Sequence, residues 1–297
     1  MTIEASIDET PRCLTEGRTV LGECPTWDAA ERALYWLDVM EGDIFRIEPA
    51  SGALRRWSIK RKPHALALRQ GGGMILTVRN GFWSFDQATG ALEELRDAAP
   101  ELPRNFVNDA KCDARGRLWA GSADRDLAPD KGELYRFDPD LTCRRMDTGI
   151  SLSNGIAWSP DDRRMYYADT GAECIYLYDF DLAVGAATNR RIFAASADLP
   201  GKPDGITCDR EGFVWSAQVD GGCLIRFAPD GTVERQVELP VSRPTSCQFG
   251  GDDLDMLFVT SASLEVSEAE KARQPQAGGL FAFRPGIAGL APPRFAG

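Results

Sequence analysis

The chain has a single histidine, His64, and no two of its eight cysteines form a C-x-x-C pair, so a Cys/His zinc site lacks its ligands. No G-x-S-x-G turn is present, which leaves a serine-hydrolase triad unsupported. No segment has the uninterrupted apolar length of a membrane span, and the opening MTIEASIDETPRCLTEGR lacks the apolar stretch of a secretory signal. A cytoplasmic location is the expectation, with the cysteines as reduced thiols. Basic residues are outnumbered, 34 against 45 acidic ones for a net charge of −11, and no Lys/Arg block stands out as a phosphate-tracking stripe. Neither nucleic acid nor a membrane is expected as a partner.

What is there is a repeat. Six short apolar runs, centred on Trp36, Ile75, Trp119, Tyr166, Trp215 and Phe258, follow one another at intervals of 39 to 49 residues. Each is preceded by a polar turn, such as DARGR or DREGF, and before that by another strand-like run. Further strands follow, as in LYRFDPDLTCRRM and LIRFAPDGTVERQVEL. Four strands per period, six times over, predict an all-β fold, a six-bladed β-propeller of four-stranded blades around a central channel. It should fill residues 1–297 as one domain, with residues 1–12 as a disordered or extended tail. The one helix-like stretch, Leu264 to Arg273 with Ser267 as N-cap, is either a short helical excursion or a loop.

Equivalent positions in different blades converge in space. Glu23, His64, Asn108, Asn154, Asp204 and Ser246 lie 11 to 13 residues before the six strand centres, and all are polar. They begin the first strand of each hairpin, which lines the channel of a propeller. Two carboxylates and two amides aimed at one volume repel unless a cation lies among them, and an oxygen-only set favours a hard divalent ion such as calcium, magnesium or manganese. The competing account is that these residues cap strands and turns, as Asn and Asp do elsewhere. His64 follows Pro63 near the channel mouth. It either binds substrate or simply starts a strand.

The local motifs are LGECPTW from Leu21 to Trp27, SNGIAWSPD from Ser153 to Asp161, PDGI from Pro203 to Ile206, and RPTSCQFGG from Arg243 to Gly251. With RQP from Arg273 and AGGLF from Ala277, they closely resemble the gluconolactonase, regucalcin (senescence marker protein) and luciferin-regenerating enzyme family. The resemblance implies one catalytic divalent cation held by Glu23, Asn154 and Asp204: calcium first, with manganese, magnesium, iron and zinc as alternatives. It also implies hydrolysis of a sugar (aldono) lactone by a metal-associated water, with Asp204 as proton acceptor and Asn108, Asp124 and His64 around the substrate. Asn108-Asp109 matches the family's Asn-Asp motif. An organophosphate-type hydrolase and a non-catalytic calcium-binding propeller share the same fold, and a monomer or weak homo-oligomer is expected. One departure stands out: many relatives carry Arg where this chain has Phe106, so the sugar-clamping guanidinium is missing unless Arg104 reaches in. The lactone is then expected to carry fewer hydroxyls, or a deoxy carbon, on that side.

Overall fold

The computed structural model describes residues 8–15 and 19–297 of the 297-residue chain. Twenty of its strands form five four-stranded antiparallel sheets in chain order, spanning residues 22–58, 63–97, 105–150, 153–195 and 202–238. The sixth sheet takes Pro244–Gly250, Met256–Ser261 and Phe281–Phe283 from the end of the chain and Arg12–Cys13 from its beginning. The innermost strands pack side by side in sequence, and Gly22–Asp28 of the first blade packs on Pro244–Gly250 of the last. This closes a six-bladed β-propeller. All six apolar run centres lie in the second strand of their blade, and all six polar register positions lie in the innermost strand.

The turns form because their side chains satisfy their own backbone. In the third blade Asp113 accepts the N–H groups of Arg115 and Arg117 at 2.9 and 3.2 Å, and Gly116 takes the left-handed conformation that the turn requires (φ 72°). The other oxygen of Asp113 accepts the Trp119 indole N–H at 2.9 Å, so one buried carboxylate both shapes the turn and satisfies the large ring of the next strand. Asp209 does the same for Glu211, Phe213 and Trp215 in the fifth blade. The turns DARGR and DREGF are thus one device used twice.

The joint between chain ends is short. Arg12 pairs with Ala282 and Cys13 with Phe281, and beyond this two-residue strand Leu14 N–H donates to Leu280 O and Thr19 N–H to Gly278 O. Of the expected N-terminal tail, residues 1–7 lie outside the described residues, while Arg12 belongs to the sixth blade. The helix is Glu268–Arg273, with Ser267 as its N-cap in a reciprocal capping box with Glu270. Cys24, Cys112, Cys174, Cys208, Cys223 and Cys247 are buried free thiols. No helix among the described residues is long and apolar enough to cross a membrane.

Candidate active site

Every innermost strand is irregular at the same place. The pairing with the second strand slips between Glu23 and Thr26, Pro63 and Ala65, Val107 and Ala110, Ser153 and Ile156, Pro203 and Ile206, and Pro244 and Ser246. A bulge frees a residue from the ladder and re-aims its side chain. The slips fall on or beside Glu23, His64, Asn108, Asn154, Asp204 and Ser246, so the polar ring sits where the strands are bulged at one end of the channel. The glycines of SNGI and PDGI have a packing reason. A Cβ on Gly155 would lie 2.2 Å from the Ile206 backbone nitrogen, and one on Gly205 would lie 2.1 Å from Ser246 Oγ. Neighbouring inner strands touch there, directly after Asn154 and Asp204.

A chain of hydrogen bonds runs through four blades. His64 Nδ1 lies 3.1 Å from Asn108 Oδ1. Asn108 Nδ2 donates to Ser153 O at 2.8 Å and to Asn154 Oδ1 at 3.2 Å. Asn154 Nδ2 donates to Thr170 Oγ1, whose hydroxyl donates to Pro203 O, at 2.8 and 2.7 Å. With the Asn108 amide nitrogen spent on two acceptors, its oxygen accepts from His64, which places the imidazole proton on Nδ1 and leaves a lone pair on Nε2. Burial pushes the His64 pKa down to about 4, with the Asn108 bond opposing and the Lys62 charge adding to the shift. The ring is neutral at physiological pH.

The carboxylates carry the electrostatic load. Burial, then the charges of Asp204 and Asp109, push the proton affinity of Glu23 well above the ordinary range. Burial and the charge of Asp109 do the same to Asp204, against a lowering contribution from Arg243. Asp109 is raised by burial, with Lys111 opposing. Asp204 Oδ1 is buried without a hydrogen-bond partner, an arrangement that costs about 1–3 kcal/mol for a neutral acceptor and more for a charged one. Among the described residues Glu23 Oε2 accepts only the neighbouring Cys24 N–H, at 3.1 Å. Among the described residues no three His, Cys, Asp or Glu side chains form a metal-holding group; the donors gathered here are carboxylates and amide oxygens. Mutually repelling carboxylates, one with an unpartnered oxygen, beside an amide whose nitrogen is already engaged, fit a hard divalent cation.

The remaining candidates divide. Phe106 is half-buried and its ring lies 4.8 Å from that of His64, and both line a cavity of about 540 Å³ at the mouth. Arg104 is exposed and held by Asp126 and, at 3.6 Å, by Asp124, so these two candidates pair with each other. Ser246 is buried in the innermost strand of the sixth blade. Thr170, which ties Asn154 to the fifth blade, was not anticipated. It lies just beyond the second strand of its blade, outside the register that singled out the others.

Buried carboxylates, amides and one neutral imidazole are thus carried at one end of the innermost strands of the propeller. The chain belongs to the SMP-30/Gluconolactonase/LRE-like family, whose profile matches residues 21–263. It is 34% identical to the 6-deoxy-6-sulfogluconolactonase of Pseudomonas putida, over 98% of this chain and all of that one, and 33% identical to the L-arabinolactonase of Azospirillum brasilense, over 96% and 95%. Among solved structures it is similar to a calcium-binding protein, regucalcin, from Agrobacterium tumefaciens, with a TM-score of 0.91 and 28% identity over 97% of this chain and 98% of that one.

Proposed function

We propose that the chain hydrolyses a sugar lactone at the channel mouth, with a divalent cation, calcium first, held by Glu23, Asn154 and Asp204. The observation that carries this reading is the set of buried carboxylates raising one another's proton affinity around the unpartnered Oδ1 of Asp204. Family membership and lactonase relatives support the reaction, and a calcium-binding relative of the same fold supports the ion. A bound cation would supply Lewis acidity toward the lactone carbonyl and gather water at the site.

The residues of this chain do the rest. Asp204 accepts the proton of a water that adds to the carbonyl carbon, and the proton is returned to the ring oxygen as the carbonyl carbon–ring oxygen bond breaks, giving the open hydroxy acid. Asn108 holds its neighbours in place, since both ends of its amide are engaged. His64 Nε2 offers an acceptor to a sugar hydroxyl, and Phe106 an apolar wall. The test is a panel of sugar lactones, each with calcium, manganese, magnesium or zinc, with acid release followed by a pH indicator. Absence of turnover across the whole panel would overturn the reading.

A further inference from the structure

The cavity shared by His64 and Phe106 is otherwise lined by Val78 and five cations: Lys60, Arg61, Lys62, Arg79 and Arg125. They come from three separate places. Lys60 to Lys62 lead from the outer strand of the first blade, Ala53–Ser58, to the inner strand of the second, Pro63–Leu68; Arg79 stands in the turn between Met74–Val78 and Gly81–Phe85; and Arg125 directly follows Leu118–Asp124. In an antiparallel four-stranded blade all three places fall at the end where inner strands begin, the end that carries Glu23, Asn154 and Asp204. Among the described residues no carboxylate lines this cavity.

Three other cations at this end of the ring are paired. Arg104 is paired with Asp124 and Asp126, Lys202 with Glu173 at 2.7 Å, and Arg243 with Asp220 and Glu265 at 2.9 and 2.7 Å. None of the five pocket cations has an ion-pair partner among the described residues; Arg61 lies over the Trp83 ring at 4.8 Å, and Lys62 Nζ lies 3.8 Å from Met40 Sδ. Lys60 and Arg79 moreover hold left-handed backbone (φ 52° and 54°), where Gly or Asn is less strained. Five like charges gathered without partners, in a chain of net charge −11, repel one another with no structural return. A concave site with low-dielectric walls focuses their field on whatever enters.

We propose that this pocket binds an anionic group on the substrate, so that the lactone is one whose far end carries a carboxylate, sulfonate or phosphate. This rests on the lactonase reading above. Neutral hydroxyls need no such charge, whereas ammonium and guanidinium groups are the partners of oxyanions. A cavity of about 540 Å³ holds one small molecule, and the acidic remainder of the protein repels a polyanion.

Calorimetry of the full chain with calcium present would compare gluconate with glucarate, 6-deoxy-6-sulfogluconate and 6-phosphogluconate, three arms that distinguish the terminal group. At least one anionic acid should bind on the order of tenfold more tightly than gluconate at low salt, and the advantage should shrink as salt screens it. Lys60→Asn/Arg79→Asn/Arg125→Gln, whose two asparagines suit the left-handed backbone, should abolish the advantage, while the charge-preserving Lys60→Arg/Arg79→Lys should retain it. The kcat/KM ratio of anionic over neutral lactone should fall in parallel. If none of the three acids, each with a second anionic group, binds better than gluconate, or if the advantage survives the triple substitution, the assignment is overturned. Binding preference without turnover of any lactone would overturn the lactonase reading and leave the pocket in place; turnover without preference would do the reverse.

Discussion

Replacing Asp204 with asparagine separates the carboxylate's chemistry from its cost. Asparagine keeps the volume and removes a charge that sits buried beside Glu23 and Asp109, with one oxygen unpartnered. The amide still presents an acceptor oxygen, but a neutral one, and removing a buried charge from among like charges is worth on the order of 1–3 kcal/mol. In a domain of 297 residues each kcal/mol moves the melting temperature by about 1.5–2 °C, so the metal-free variant should melt roughly 2–6 °C above metal-free wild type. The pH dependence has a definite sign. Glu23, Asp109 and Asp204 bind protons more tightly folded than unfolded, so metal-free wild type loses stability as pH rises through and above the ordinary carboxylate range, and the variant should lose less. Hydrolysis should fall by about two to four orders of magnitude with the loss of the proton acceptor. Calorimetric melting with and without calcium, across pH 4 to 8, reads all of this. A variant that melts with the wild type, gains the same stability from calcium and turns over at an ordinary rate would remove Asp204 from both roles.

Chelation should abolish turnover, and calcium, manganese or another hard divalent ion should restore it; full activity in metal-free protein would dismiss the cation from the mechanism. Phe106→Arg should shift the kcat/KM ratio toward polyhydroxylated over deoxy lactones, because a guanidinium replaces an apolar face beside His64, and an unchanged ratio would mean that the ring does not meet the substrate. Gly155→Ala should destabilise the protein by about 1–3 kcal/mol or more in urea unfolding, since its Cβ would lie 2.2 Å from backbone nitrogen; a neutral result would mean that the inner strands have room to part.

The blades were legible because each repeat carries a polar turn and a second strand that is almost wholly buried and centred on a large apolar residue. Trp119 and Trp215 announce their strands, and Asp113 and Asp209 announce the turns before them. The N-cap at Ser267 was legible for the same local reason. The closing strand was not: two residues at Arg12–Cys13 contain no periodicity, and their partners lie at the far end of the chain. The bulges leave no trace in residue pattern, although the register count found the polar residues they present. The cationic pocket was hidden by topology. Lys60 to Lys62 is only a three-residue basic run, and Arg79 and Arg125 join it only when three loops meet at one mouth. Arg104, the residue that would have to reach in for the missing family arginine, pairs with Asp126 and Asp124, an arrangement that depends on the fold of its loop.

The two-residue strand that completes the sixth blade bears on more than ring closure. Glu23 belongs to the first blade and Asp204 to the fifth, and the blade between them is the one stitched from both chain ends. Repulsion between them would be borne across this seam, which the pairs Arg12–Ala282 and Cys13–Phe281 clasp. Neutralising these carboxylates would then relieve the load on the clasp, and loosening the clasp would free the first blade to move against the fifth.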